Sequence, residues 1–174
     1  MSNVKSDSLP YSHVFRKAGP FGKAAIILST WFGIGLFPAA SGTVGSVAAL
    51  PFILFLNMLE LWQRVLTIAI FIAISVWSSG LTQKLLERND PSEVVIDEVS
   101  GFSLAMFIAP FSPASLVVCF FLFRIFDIIK PYPIKDLERL KGGMGIVMDD
   151  LLAGIFAGTA TWGIFRLYNN LFAS

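Results

Sequence analysis

Val65-Leu-Thr-Ile-Ala-Ile-Phe-Ile-Ala-Ile-Ser-Val-Trp-Ser-Ser-Gly-Leu-Thr-Gln83 carries no charged side chain. A bilayer core about 30 Å thick is crossed by roughly 20 apolar residues in a helix, so this stretch reads as a membrane span. Three more charge-free stretches accompany it: Ala24 to Leu59, Val99 to Phe123 and Leu151 to Phe165. The composition agrees. Of 174 residues, 55% are hydrophobic and 14% charged, against roughly 25% charged in soluble chains, and the mean hydropathy is +0.73. Thirteen Lys and Arg against twelve Asp and Glu leave a net charge of +1, so the field gives no reason to expect a nucleic-acid partner.

From that span the rest of the map follows. Val44 to Leu61 reads as a second span, joined to the first by the polar turn Glu60–Arg64. Residues 24–38, interrupted by Gly33, Gly35 and Pro38, read as an in-plane or half-inserted helix. Lys5, Arg16, Lys17 and Lys23 place the N-terminal leader in the cytoplasm, and two spans return the chain there at Lys84 and Arg88. The basic 124–141 loop belongs on the same side only if 99–123 folds back as a hairpin at Pro110-Phe-Ser-Pro113. A last helix is expected from about Asp149 to Tyr168, with Gly154 and Gly158 forming a small-residue face for close helix packing. The expectation is an all-α polytopic membrane domain over 20–174, with short or re-entrant helices and cytoplasmic active-site loops, behind a polar leader at 1–19. The first apolar stretch begins only at residue 24, which argues against a secretory signal.

The chemistry is narrowed by what is scarce. Cys119 is the single cysteine and His13 the single histidine. Disulfide frameworks, cysteine or multi-histidine metal centres and Ser-His-Asp catalysis are therefore excluded. Carboxylates, Lys, Arg, hydroxyls and backbone remain. Of the twelve acids, five lie between Glu87 and Glu98 and five between Asp127 and Asp150. Glu87, Glu93, Asp136 and Glu138 read as solvated loop acids. Asp97-Glu98 and Asp149-Asp150 each abut an apolar helix, where an ionised carboxylate without a partner is costly. They serve either as helix-start charges or as ligands of a shared cation, and an all-carboxylate set favours Mg²⁺ over Zn²⁺.

Between the pairs, Arg124, Asp127 and Lys130 fall at i, i+3 and i+6 on one helical arc. They form either a self-neutralising ion-pair cluster or a site in which Asp127 serves the metal while Arg124 and Lys130 receive an anion. Gly142 and Gly143, in Lys141-Gly-Gly-Met-Gly145, are free to turn backbone N–H groups toward a phosphate, or they are an ordinary loop. In Ser41-Gly-Thr-Val-Gly-Ser46, Thr43 and Ser46 are candidate head-group contacts, and the alternative is helix packing. Together these features point to an enzyme acting on a phosphorylated lipid at the cytoplasmic membrane surface.

Four blocks in order carry a family resemblance: Gly42-Thr-Val-Gly-Ser46, Asp90-Pro-Ser-Glu-Val-Val-Ile-Asp-Glu-Val-Ser-Gly101, Phe123-Arg-Ile-Phe-Asp-Ile-Ile-Lys-Pro-Tyr-Pro133 and Gly142-Gly-Met-Gly-Ile-Val-Met-Asp-Asp-Leu-Leu-Ala-Gly154. Over about residues 20–168 the chain resembles the phosphatidylglycerophosphatase A family. The resemblance implies a Mg²⁺-dependent phosphatase of the bacterial inner membrane that converts phosphatidylglycerophosphate to phosphatidylglycerol. It further implies catalytic roles for Asp97, Glu98, Asp127, Asp149 and Asp150, with metal on Asp97, Glu98, Asp149 and Asp150. A CDP-alcohol phosphatidyltransferase and a small membrane transporter are the competing classes. The transferase spacing of acidic and glycine residues is missing, and the acids sit at helix ends, not mid-span.

Overall fold

The computed structural model describes residues 11–38, 41–89, 91–137 and 139–172; Lys5, Asp90 and Glu138 lie outside them. The described chain is helical with no strand: α1 (Tyr11–Lys17), α2 (Pro20–Ser29), α3 (Ser41–Ala48), α4 (Leu50–Asn57), α5 (Leu61–Leu86), α6 (Ile96–Ile108), α7 (Pro113–Ile129), α8 (Ile134–Leu137) and α9 (Gly143–Phe172). At 1.5 Å per residue, α5 is about 39 Å long and α9 about 45 Å, and both are apolar enough to cross a bilayer. This is an all-α membrane protein.

Local chemistry sets the helix ends. Glu60 and Gln63 form a reciprocal capping box at the start of α5. Ser112 caps α7 by accepting from the Ser115 N–H at 3.1 Å, with Pro113 at the first helical position. The hairpin expected at 110–113 is present, because Ala109 turns extended before Pro110 and α7 restarts at once. At its far end α7 stops on Lys130, in the left-handed region at φ 46°, ahead of Pro131.

Three expectations change. Val44 to Leu61 is not one continuous span: α3 and α4 meet at Ala49 and end at Asn57. Pro51 has no N–H for the carbonyl four residues earlier, which interrupts the ladder. Residues 24–38 divide into α2 and a 3₁₀ turn at Ile34–Leu36, separated by Trp31, Phe32 and Gly33, all at positive φ. The last helix starts at Gly143, not Asp149, and runs to Phe172, so Asp149 and Asp150 lie in its second turn and not ahead of it. Within the expected leader, α1 buries Val14 against Ile26 and Leu86, so this part packs on the domain.

Helix α9 packs against α5, α6, α7 and α8 and so runs through the middle of the bundle. Its most extensive contact is with α6. A Cβ at Gly154 would lie 2.2 Å from the Gly101 carbonyl oxygen, so the two backbones touch where any side chain would part them. Around this contact Val99, Phe102, Met106, Phe123, Ala153 and Ala157 form the core. Hydroxyl pairs tie further helices inside it, Ser75 to Ser100 at 2.7 Å and Ser29 to Thr82 at 2.8 Å. In contrast, α5 turns Leu61, Trp62, Val65, Leu66, Ile70 and Trp77 outward, the face a helix presents to lipid. The C-terminal ends of α5 and α7 and the N-terminal ends of α3, α6 and α9 all reach one end of the bundle.

Candidate active site

At that end lies a cavity of about 740 Å³. Its acids are Asp97, Glu98, Asp127, Asp149 and Asp150, and its basic residues are Lys130 and Lys141. Asp97 and Glu98 occupy the first turn of α6, the positive end of the helix dipole. One turn on, Gly101 lets α9 close in: a Cβ there would sit 2.5 Å from the Asp150 carbonyl oxygen. That approach sets the two acid pairs against each other. One oxygen from each of Asp97, Glu98 and Asp150 lies within 4.8 Å of the others. Asp97, Asp149 and Asp150 are 8%, 5% and 4% exposed, well below what lone carboxylates tolerate.

The remaining acids have cationic partners. Lys130 Nζ donates to Asp149 Oδ2 at 2.7 Å, and Arg124 Nη1 lies 2.7 Å from Asp127 Oδ2. Arg124 is not on the cavity wall. Its guanidinium lies behind Asp127 and Glu98, under Gly42, so the structure gives it a counter-ion position and leaves Lys130 facing the cavity. Asp149, expected beside Asp150 on the metal, instead projects toward Lys130, because successive helical residues point about 100° apart.

Burial pushes the Asp97 carboxyl well above its ordinary 3.8, and the neighbouring Glu98 and Asp150 charges push it further. Glu98 is raised from 4.5, chiefly by burial and then by the charge of Asp127, while hydrogen bonding from Asp97 and the Arg124 charge pull the other way. Protonation or a cation relieves such crowding. The donor set fits a hard divalent ion: every ligand is a carboxylate oxygen, and Glu98 Oε2 is buried without a hydrogen-bond partner.

Not every expected phosphate contact reaches the cavity. Gly142 lines it, at φ +71°. Gly143 instead lies against α5, where a Cβ would come 1.9 Å from the Val76 carbonyl oxygen. Ser46 is buried with its hydroxyl on the Gly42 carbonyl at 2.9 Å, and Thr43 is exposed away from the cavity. Their places were taken by residues without a charge to advertise them. Ser41, Gln83, Asn89 and Ser92 line the wall, and a Cβ at Gly42 would meet Glu98 Oε1 at 2.5 Å.

A family model described as phosphatidylglycerophosphatase A matches residues 27–165. The chain belongs to the phosphatidylglycerophosphatase A family. It is 37% identical to phosphatidylglycerophosphatase A of Escherichia coli over 134 residues, covering 75% of this chain and 77% of that one. The Haemophilus influenzae protein of the same name is 32% identical over 141 residues, 79% of this chain and 86% of its own. A putative phosphatidylinositol-3-phosphatase of Bacteroides thetaiotaomicron is 34% identical over 141 residues, 76% and 87% of the two chains. No solved structure matches significantly. Membership makes this protein a membrane-embedded lipid phosphatase that hydrolyses a phosphomonoester, and the matched span contains all the carboxylates of the cavity.

Proposed function

We propose that the chain releases the terminal phosphate of phosphatidylglycerophosphate, leaving phosphatidylglycerol, with Mg²⁺ held by Asp97, Glu98 and Asp150. The observation that carries this reading is the convergence of those three carboxylates in a cavity that Lys130 and Asp149 also line. The bound ion supplies positive charge against the phosphoryl oxygens. Lys130 adds a second positive charge from the opposite pair, where charge spreads over the equatorial oxygens in phosphoryl transfer. Asp149 Oδ1 is buried with no hydrogen-bond partner, which leaves it open to take a proton from the attacking water. The water oxygen bonds to phosphorus, the ester P–O bond breaks, and the departing alkoxide oxygen takes up a proton. Asp127 is paired with Arg124 at 2.7 Å and forms part of this wall.

The site faces the cytoplasm of a bacterial inner membrane in this reading. Arg16, Lys17, Lys84, Arg88, Lys135 and Lys141 all lie at the cavity end, as the positive-inside rule requires of a cytoplasmic face. The name of the Bacteroides relative raises a second head group, a phosphoinositide, which also carries a monoester beyond the phosphodiester. The test is inorganic phosphate release by purified protein in mixed micelles, from phosphatidylglycerophosphate and phosphatidylinositol 3-phosphate in parallel. Faster release from phosphatidylglycerophosphate is expected, with phosphatidylglycerol as the lipid product. Release only from the phosphoinositide would overturn the assignment.

A further inference from the structure

The cavity is larger than the reaction needs. Its volume of about 740 Å³ falls within the roughly 300–1,000 Å³ of pockets that enclose a whole small molecule, and a single phosphate has five heavy atoms. The cations near the reacting end are engaged: Arg124 lies on Asp127 and Lys130 on Asp149. Lys141 also lines the cavity, is exposed, and has no carboxylate partner among the described residues. Its surroundings place it in depth. Leu140, just before it, and Met144, in the first turn of α9, are 44% and 41% exposed. Next to Lys130 in the chain, Ile128, Ile129 and Tyr132 are likewise exposed. Apolar side chains turned outward around a lysine mark the level where lipid meets head groups, with the ammonium reaching the polar layer.

Resting on the function proposed above, we propose that Lys141 binds the phosphodiester of a lipid whose second, terminal phosphomonoester is being cleaved, and so selects two-phosphate lipids. The diester is tethered at the head-group level by its acyl-bearing glycerol. The monoester, one polyol further out, extends to Lys130 and the carboxylates. A lipid with a single phosphate on its diacylglycerol leaves Lys141 without an anion while its monoester occupies the reacting end.

The experiment compares kcat/KM for phosphatidylglycerophosphate and phosphatidic acid in wild type, Lys141→Gln and Lys141→Arg. The exposed position leaves folding intact, checked by thermal unfolding in detergent. Lys141→Gln is expected to lower the ratio of the two kcat/KM values about tenfold, mainly through KM, as one charge-assisted hydrogen bond implies; Lys141→Arg is expected to keep it within about threefold. Phosphatidylglycerol retains the diester, so it should inhibit phosphatidic acid turnover by wild type more strongly than by Lys141→Gln. An unchanged ratio, or equal losses on both lipids, would overturn the proposal. Failure of the function itself reads differently, as no release from phosphatidylglycerophosphate by wild type. The inhibition arm would then still decide the role of Lys141, and release from neither lipid would overturn both.

Discussion

Replacing Gly42 with Ala separates the site from the fold. The added methyl carbon would lie 2.5 Å from Glu98 Oε1 and 2.9 and 3.1 Å from the two terminal nitrogens of Arg124. Ordinary carbon–heteroatom contact is about 3.5 Å, so Glu98 must retreat by roughly 1 Å. Both neighbours are ends of flexible side chains and Gly42 lies in α3, where Ala is favoured over Gly by about 0.5–1 kcal/mol. The net change in stability is therefore small, within about 1 kcal/mol. A misplacement of about 1 Å in a catalytic arrangement costs on the order of 100-fold in rate. Gly42→Ala is expected to unfold within a few degrees of wild type while losing about 100-fold in phosphate release. Gly45→Ala is the control, because the atoms nearest its methyl would be those of Val95, the side chain at 3.0 Å, and not a carboxylate oxygen. It should lose stability before turnover per folded molecule. Full activity in Gly42→Ala, or equal unfolding of both variants, would refute the placement of Glu98 and Arg124 beneath α3.

Other outcomes follow from the same geometry. Lys130→Met strands the buried Asp149, and should lower stability by about 2 kcal/mol, less than the 3–5 of a fully buried pair because Lys130 is 26% exposed; denaturant unfolding in detergent checks it. Gly154→Val forces a side chain onto the Gly101 carbonyl and should abolish the folded monodisperse fraction in size-exclusion chromatography. Asp97 and Glu98 hold protons more tightly folded than unfolded, so their contribution to stability is full below about pH 4 and is lost as pH rises through their raised values. In chelator the melting temperature should fall as pH rises above the ordinary carboxylate range, and added Mg²⁺ should restore it most at the higher pH.

The fold was readable where hydropathy changes abruptly. The 65–83 stretch gave α5, and the two prolines at 110 and 113 gave the α6–α7 hairpin, because both signals are local. The start of α9 was misplaced because the acids at 149 and 150 resemble a helix-start charge, whereas the helix begins where Gly143 fits against α5, a tertiary fact. The same limit applied to the site. Charge and apolar context picked out Asp97, Glu98 and Asp150, yet pairing is decided by helix phase. Phase turned Asp149 to Lys130 and drew Arg124 behind the wall. Thr43 and Ser46 looked like ligands by chemistry alone, and the structure gives the close approach in α3 to Gly42, which has no side chain to notice.

The most direct test of the carboxylate centre is the Mg²⁺ dependence of phosphate release from phosphatidylglycerophosphate by wild type and Asp150→Asn side by side. The account predicts no release by wild type in chelator, saturable activation by Mg²⁺, and at least about 100-fold lower turnover in Asp150→Asn at saturating ion. Release that persists in chelator, or an Asp150→Asn variant that turns over like wild type, would contradict it.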